Sequence, residues 1–315
     1  MPGKLLWIVN PHAGKAAMRQ HALACIDCFV RAGWDVTVYT TQAAKDARRV
    51  ARERAGEFDR VVCAGGDGTL GEVVSGVMDA GVSVPLGYIP AGTTNDFASS
   101  LGLPRTPAEA AVTAAGDCLA ALDIGQFGDA YFAYVAAFGL FTDVSYTTPQ
   151  VSKNMLGRLA YLVEGIKSLS QIREYRLRAE TSGGAVEGTF LYGMVSNSTS
   201  VGGFKGLPVV AGAQMDDGLF EVVLVRRTTS LLDLQTALND FLSSGDSDSG
   251  VIVHFKAPWV RITSEEEIAW TLDGEFGGSV SEVEIQNLHR AITVAVPPVE
   301  KEDEFSPDAI ADGKE

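Results

Sequence analysis

Residues 65–69 bring glycines, a carboxylate and a hydroxyl into a single turn. The five residues are Gly65, Gly66, Asp67, Gly68 and Thr69. Glycines let the backbone approach a ligand closely. The free N–H groups at the start of the following helix, together with the Thr69 hydroxyl, suit a phosphate. A carboxylate would repel a bare phosphate, so Asp67 indicates a bound Mg²⁺ or a proton to be moved. Helix capping by Asp67 is the alternative interpretation.

A second loop repeats this composition after the next apolar run. It contains Gly92, Thr93, Thr94, Asn95 and Asp96. The hydroxyls and the glycine again suit a phosphate, although threonine, asparagine and aspartate also favour helix caps.

A third loop, Asn10 to Lys15, ends the first apolar run and includes Gly14. Three glycine-bearing loops at successive strand ends are more informative than any one of them. Together they favour a nucleoside triphosphate site over three ordinary turns.

The elements that must position these loops follow from the hydrophobic pattern. Over the first ~120 residues, predicted strands and helices alternate, which is typical of a parallel sheet with helices on its faces. Ligands of such sheets gather at the carboxyl ends of the strands, where the three loops lie. From Asp123 onward, short strands separated by Gly, Asp and Ser predict an antiparallel sandwich or barrel. Two helices are predicted to interrupt it, at 156–172 and 230–245.

Two Asp-Gly pairs stand in the second half, Asp217-Gly218 and Asp273-Gly274. Asp-Gly is a strong hairpin signal, so the residues alone favour a simple turn at both places.

The chain resembles the bacterial diacylglycerol kinase catalytic family, soluble lipid kinases related to the sphingosine and ceramide kinases. The matching blocks are residues 10–15, 65–69 with Glu72, 90–98, 215–222 and 272–275, in order over roughly residues 3–298. The resemblance implies an α/β N-terminal domain with a parallel sheet, similar to NAD kinases, and a second β-rich sandwich domain. The implied boundaries are 1–122 with a returning strand at about 291–298 for the ATP-binding domain, 123–290 for the lipid-substrate domain, and 299–315 for an acidic disordered tail.

The resemblance also implies the roles of individual residues. The nucleotide-binding set is Asn10, Gly14, Lys15, Gly65, Gly66, Gly68, Thr69, Glu72, Gly92, Thr93, Thr94 and Asn95. The implied metal set is Asp96 and Asp123 in an acidic network, and Asp217 with the backbone carbonyls of Gln214 and Leu219 around a structural Mg²⁺. Asp273 matches the general base, with Glu275 close by and Asp67 as a rival for that role. His12, Ala13 and Lys15 depart from the family pattern.

We therefore expect ATP- and Mg²⁺-dependent phosphoryl transfer to a lipid hydroxyl, of diacylglycerol or a similar lipid. The alternatives are a kinase of a soluble substrate such as NAD and a non-catalytic nucleotide- or lipid-binding protein. The lipid tail is expected between the domains, against apolar residues. These residues are Phe138, Leu140, Phe141, Met155, Leu156 and Phe204.

Charge and composition limit the partners. The 315 residues carry a formal net charge of −15, which argues against nucleic-acid binding. The same acidity argues against strong adhesion to anionic lipid, so we expect local, peripheral contact with a membrane surface. Four cysteines in apolar surroundings fit the reducing cytoplasm. The sequence leaves the oligomeric state open, a homodimer included.

Overall fold

The computed structural model describes residues 2–139, 173–198, 200–201, 204–205, 213–230, 232–236 and 250–298. Within these ranges thirteen strands form one sheet, in the order β13-β12-β9-β7-β14-β15-β4-β3-β1-β2, with β5, β6 and β8 paired beside this path. A separate pair joins β10 to β11.

The first 115 residues alternate strands and helices, as the sequence predicts. The strands are β1 (Gly3–Val9), β2 (Trp34–Thr40), β3 (Arg60–Gly65) and β4 (Leu86–Pro90). The helices are α1 (Ala17–Arg31), α2 (Asp46–Arg54), α3 (Asp67–Ala80), α4 (Asp96–Ser100) and α5 (Pro107–Ala115), with 3-10 helices at Ala13–Ala16 and Ala55–Glu57. All four strands pair in parallel, which confirms the predicted α/β arrangement.

Strand β3 shows why this sheet must be covered on both faces. All six of its residues are buried, and alternate side chains enter different cores. Val61 and Cys63 pack in the core that includes α2 and α3, whereas Val62 and Ala64 pack in the core that includes α1 and α5. Burial on both faces is typical of parallel strands, and it directs their carboxyl ends, with the loops that follow, to one edge.

The second half is antiparallel, as predicted. Its strands are β5 (Leu119–Phe127), β6 (Ala130–Phe132), β7 (Val135–Gly139), β8 (Tyr175–Thr181), β9 (Gly184–Ser196), β10 (Ser200–Val201), β11 (Phe204–Lys205), β12 (Phe220–Arg226), β13 (Ile252–Ala257), β14 (Trp259–Leu272) and β15 (Glu275–Ala295). Phe138 and Trp270 pack edge to face at 4.8 Å between ring centroids in a core of this half.

Strand β15 joins the two halves. It begins beside β14, pairs with β5 along much of its length, and meets β4 in parallel where Val294 lies opposite Leu86. The strand predicted to return at about 291–298 is thus the last part of a 21-residue strand that ends at Ala295.

Some sequence predictions fall outside the described residues. These are the helix at 156–172, the tail at 299–315, and Leu140, Phe141, Met155 and Leu156. Of the helix predicted at 230–245, residues 230 and 232–236 are described, and 232–236 are helical. Phe138, predicted to contact the lipid, is a fully buried core residue. Among the described helices none combines the length and apolar character that a membrane span requires.

Candidate active site

The glycine turn joins β3 to α3, and its helix cap is Gly66, which has an extended backbone. Asp67 is therefore the first residue of the helix and does not cap it. Its Oδ2 instead accepts a hydrogen bond of 3.2 Å from the Asp96 N–H at the start of α4. Its Oδ1 is buried and accepts no hydrogen bond from the described residues. One oxygen of Asp67 thus links the two loops, and the other is left without a partner among these residues.

The glycines of the two loops allow the loops to touch each other. A Cβ on Gly92 would lie 2.7 Å from the Gly66 Cα, and one on Gly66 would lie 3.3 Å from the Gly92 Cα. Gly14 has φ +56°, and a Cβ there would lie 2.0 Å from the Ala91 carbonyl oxygen. Because side chains at these positions would push the loops apart, glycine is required for loop packing as well as for approach to a ligand.

Asn10 ties the first loop to the glycine turn. Its Nδ2 donates to the Thr69 Oγ1 at 3.1 Å, and its Oδ1 accepts from the His12 N–H at 3.0 Å. Since Thr69 accepts this bond, its own hydroxyl hydrogen can still be donated to a phosphate oxygen.

A cleft of about 500 Å³ lies at the meeting point of these loops. Seven predicted site residues line it. They are Asn10, Gly66, Gly68, Thr69, Glu72, Gly92 and Glu275. His12 and Ala13, of the first loop, also line it, and Thr41, Gln42, Ala43 and Ala44 form a further wall. This wall was not predicted from the sequence, because the loop between β2 and α2 contains no glycine or phosphate-binding motif.

Glu72 lines the cleft but is engaged by the protein. Its Oε1 accepts from the Lys45 N–H at 2.8 Å and its Oε2 accepts from the Ala47 N–H at 3.1 Å. Lys45 is the N-cap residue of α2 and has no side-chain cap of its own. The carboxylate of Glu72 therefore caps α2 from the neighbouring helix.

The side-chain amide of Asn95 closes the second loop. The Asn95 Oδ1 accepts from the Gly92 N–H at 2.9 Å, and its Nδ2 donates to the Gly92 carbonyl at 3.0 Å. Thr93 and Thr94 are exposed and do not line the cleft. The cleft also excludes Gly65, which packs against Thr69, whereas the side chain of Lys15 lies outside the described part of the chain.

The hairpin between β14 and β15 brings the second half to this site. Asp273 occupies its turn in the left-handed region, with φ +51°. Its carboxylate accepts three backbone hydrogen bonds, from Ala133 at 2.6 Å, Tyr134 at 3.0 Å and Val135 at 3.1 Å. Burial nevertheless raises the pKa of Asp273 to about 7, and the charge of Asp67 adds to this effect.

The two halves touch at the start of α3. An ideal Cβ on Gly68 would lie 3.1 Å from the Glu275 Oε1, and one on Gly71 would lie 3.5 Å from the Asp273 Oδ2. The hairpin therefore lies directly against the first turns of α3.

Asp67 and its neighbours form a coupled group of acids. Burial raises the pKa of Asp67 to about 6, and the nearby Asp96 adds to this rise, while backbone N–H groups of residues 95–97 oppose it. Burial and the charges of Asp273 and Asp67 raise the pKa of Tyr134 well above its ordinary range. Tyr134 is not among the residues predicted from the sequence, because a tyrosine in an apolar segment resembles a core residue.

The other predicted metal residues lie around Asp123, which is fully buried and accepts hydrogen bonds from their loop. The Asp123 Oδ2 accepts from the Gly218 N–H at 2.7 Å, and its Oδ1 accepts from the Arg290 N–H at 2.7 Å and lies 3.1 Å from the His289 Nδ1. Asp217 accepts from the Leu219 N–H at 2.9 Å, and Gln214 is exposed. Both Asp123 oxygens are thus engaged by the protein itself.

The donor set at the glycine turn fits Mg²⁺, which prefers oxygen ligands. Asp67 offers a buried carboxylate oxygen without a partner, and Asp96 is close enough to raise its pKa. Across the described residues, no three His, Cys, Asp or Glu side chains form a group that could hold a metal ion alone. A cation here would therefore need further ligands, such as nucleotide phosphates.

Comparison with known families agrees with the two-part architecture. The diacylglycerol kinase catalytic domain family matches residues 4–127. The YegS C-terminal NAD kinase beta sandwich-like domain matches residues 135–296.

Individual relatives match along almost the whole chain. A Bacillus subtilis protein named diacylglycerol kinase is 34% identical over 292 residues, covering 92% of this chain and 95% of the relative. A Staphylococcus haemolyticus protein of the same name is 33% identical, covering 92% and 87%. A Bacillus anthracis crystal structure, described as a candidate diacylglycerol kinase, superposes with a TM-score of 0.80 at 26% identity, covering 94% of this chain and 98% of the other. With these matches along its length, the chain belongs to the diacylglycerol kinase catalytic domain family and is a lipid kinase.

Proposed function

We propose that this protein transfers the γ-phosphoryl group of ATP to the hydroxyl of diacylglycerol or a closely similar lipid, with Mg²⁺. The observation that carries the proposal is the convergence at one cleft. Glycine-bearing loops from the first half and an acidic hairpin from the second half meet at the start of α3. The names of the relatives support diacylglycerol as the acceptor.

The first half supplies the groups that hold the phosphates. The backbone of Gly66, Gly68 and Gly92 borders the cleft, and Thr69 has a hydroxyl hydrogen to donate. Phosphoryl transfer depends mainly on positioning and on neutralising charge, so groups fixed by tight loop packing suit it.

Asp67 and Asp96 would hold Mg²⁺ at the edge of this cleft, through the unpartnered oxygen of Asp67. When bound, Mg²⁺ supplies neutralisation of the phosphate charge during transfer.

The second half supplies the proton acceptor. The acceptor hydroxyl loses its proton as its oxygen bonds to the γ-phosphorus, and the bond from that phosphorus to the β-phosphate oxygen breaks to release ADP. We assign the proton to Asp273, since a carboxylate with a pKa of about 7 is a suitable base near neutral pH. Asp67, with a pKa of about 6, is the alternative base.

Contact with a membrane surface would be local and peripheral. Phe276 follows Glu275 on the same hairpin and is 63% exposed, which is unusual for a large aromatic side chain. It would offer an apolar contact next to the cleft where the lipid hydroxyl has to arrive.

The test is transfer of label from γ-labelled ATP to lipids in mixed micelles containing Mg²⁺. The panel contains diacylglycerol, a sphingoid base, phosphatidylglycerol and a polyprenol, with NAD as the soluble control. We expect labelled lipid from diacylglycerol, reduced at least ~100-fold in Asp273→Asn. Label on NAD alone would contradict a lipid acceptor. Nucleotide binding without any labelled product would contradict catalysis.

Asp273 and Asp67 are distinguished by the same assay across pH. A general base that titrates near 7 gives kcat a rising limb near that pH, and loss of the base removes the limb. We expect Asp273→Asn to remove this limb. We expect Asp67→Asn to raise the Mg²⁺ concentration that half-maximal activity requires. The reverse pattern would transfer the role of base to Asp67.

A further inference from the structure

The described lining of the cleft has an unfavourable charge for a nucleotide. Two acidic side chains, Glu72 and Glu275, line it, and no lysine or arginine among the described side chains does. Triphosphates are polyanions, and proteins ordinarily meet them with cationic side chains as well as backbone N–H groups. A cationic side chain on the described lining would therefore favour nucleotide binding.

The remaining basic side chain on the lining is His12. Its backbone N–H donates to the Asn10 Oδ1 at 3.0 Å, and Asn10 also donates to the Thr69 hydroxyl, so one amide fixes both residues. His12 is exposed, and its imidazole makes no hydrogen bond to any residue in the described part of the chain. The Asn10 side chain thus links the His12 backbone to the Thr69 hydroxyl, and neither ring nitrogen of His12 has a partner among the described residues.

Two acidic side chains share the lining with His12. Glu72, from α3, is held by two backbone N–H groups of the α2 cap, which offset part of its charge. Glu275, from β15, lies against Gly68 and accepts no backbone hydrogen bond from the described residues. The wall from Thr41 to Ala44 is uncharged. A phosphate bound in this cleft would favour the protonated form of an imidazole beside it.

We propose that His12 binds the nucleotide phosphates as an imidazolium ion, so that nucleotide binding takes up a proton at this residue. This inference rests on the proposed function, because it takes the cleft to be the nucleotide site. Histidine ordinarily titrates at about 6.5, so the contact strengthens on the acid side of neutrality and weakens above it.

The experiment is calorimetric titration of the full chain with ADP and Mg²⁺ at about pH 6 and about pH 8.5, in buffers of different ionisation enthalpy. The variants are His12→Gln, which keeps a hydrogen-bond donor without the charge, and His12→Lys, which keeps the charge at both pH values. His21→Gln is the matched control, since His21 is an exposed histidine on α1 that does not line the cleft.

We expect the wild-type protein to bind ADP about 10-fold more weakly at the higher pH, with proton uptake on binding. His12→Gln should lose most of this pH dependence, His12→Lys should retain tight binding at both pH values, and His21→Gln should behave as wild type. Titration of the nucleotide phosphate is common to all variants, so the difference between them isolates His12.

Two results overturn the inference in distinguishable ways. Nucleotide binding with the same pH dependence and proton uptake in His12→Gln as in wild type would overturn the role of His12 alone. Absence of nucleotide binding in every variant, including wild type, would overturn the proposed function together with it.

Discussion

Two Asp-Gly turns meet beside the cleft, and their buried carboxylates differ in how many of their oxygens accept a hydrogen bond from the described residues. Asp67-Gly68 begins helix α3, and the Oδ1 of Asp67 is buried without a partner. Asp273-Gly274 closes the hairpin from β14 to β15, and its carboxylate accepts three backbone N–H groups. Burial raises the pKa of both aspartates, to about 6 and about 7.

The difference shows that one dipeptide can serve two purposes. At Asp273 the protein has supplied most of the hydrogen bonds that a carboxylate requires, so the group is fixed in place and its loss would expose unpartnered donors. At Asp67 the protein has left one oxygen available for a cation or a proton. A variant at Asp273 should therefore cost stability, whereas one at Asp67 should alter its pH dependence.

The largest expected effect is that of Asp273→Ala. It leaves three N–H groups without partners and places alanine in the left-handed region, so the free energy of unfolding should fall by roughly 3–5 kcal/mol. Urea unfolding measures the change. Asp273→Asn is the control, because asparagine keeps a carbonyl acceptor and tolerates positive φ. A loss below about 1 kcal/mol for the alanine variant would contradict a stabilising role for the carboxylate of Asp273.

The next largest effect is that of Asp67→Asn on the pH dependence of the free energy of unfolding. The folded state holds the proton of Asp67 more tightly than the unfolded state, because the pKa rises from 3.8 to about 6. Its contribution to stability is thus complete below about pH 4 and is lost as pH rises through about 6. Relative to wild type, the variant should gain on the order of 3 kcal/mol between about pH 4 and pH 8.

Unfolding of both proteins by urea at the two pH values measures this gain. Titrations of groups that do not interact with Asp67 are shared and cancel in the difference. The variant also removes the part of the rise in the Asp273 pKa that the Asp67 charge causes. If the two proteins differ by the same amount at both pH values, Asp67 does not titrate in this range.

Glu72→Ala extends the comparison along α3. Like Asp273, Glu72 is engaged by backbone N–H groups of another segment, those of Lys45 and Ala47. Losing this cap should lower the free energy of unfolding by about 1 kcal/mol, as measured by denaturant unfolding. Glu72→Gln keeps one acceptor and should lose less. Equal losses in the two variants would show that the cap contributes little.

The smallest effect is that of Gly68→Ala, which probes the contact between the two turns. The new Cβ would lie 3.1 Å from the Glu275 Oε1, the end of a flexible side chain that can move. Alanine is the better helix former, so the free energy of unfolding should change by less than about 1 kcal/mol. A double-mutant cycle with Glu275→Ala should give a coupling of about 0.5 kcal/mol. Strictly additive changes in the free energy of unfolding would show that the hairpin and the glycine turn are not energetically coupled.

Much of the fold could be predicted from the sequence, because its signals are local. Apolar runs followed by glycine-bearing loops predicted β1, β3 and β4, and the alternating pattern predicted helices between the strands, as α1, α2 and α3 are. The antiparallel second half followed from short strands separated by turn residues.

The site was partly predictable for the same reason. Seven of the predicted residues line the cleft, since loops at the carboxyl ends of parallel strands must converge. The wall from Thr41 to Ala44 was missed because its side chains carry no motif and only the position of β2 places them there.

The sequence by itself determined which residue types the loops present: glycines, a threonine hydroxyl and aspartates at strand ends. The tertiary structure alone decided which of these groups remain available to a ligand. Strand β7 and the residues before it engage Asp273 from about 140 positions away, and α2 engages Glu72, whereas one oxygen of Asp67 is left without a partner. Hydrogen-bond saturation depends on which backbone segments meet a side chain, and contacts between distant segments exist only after the chain has folded.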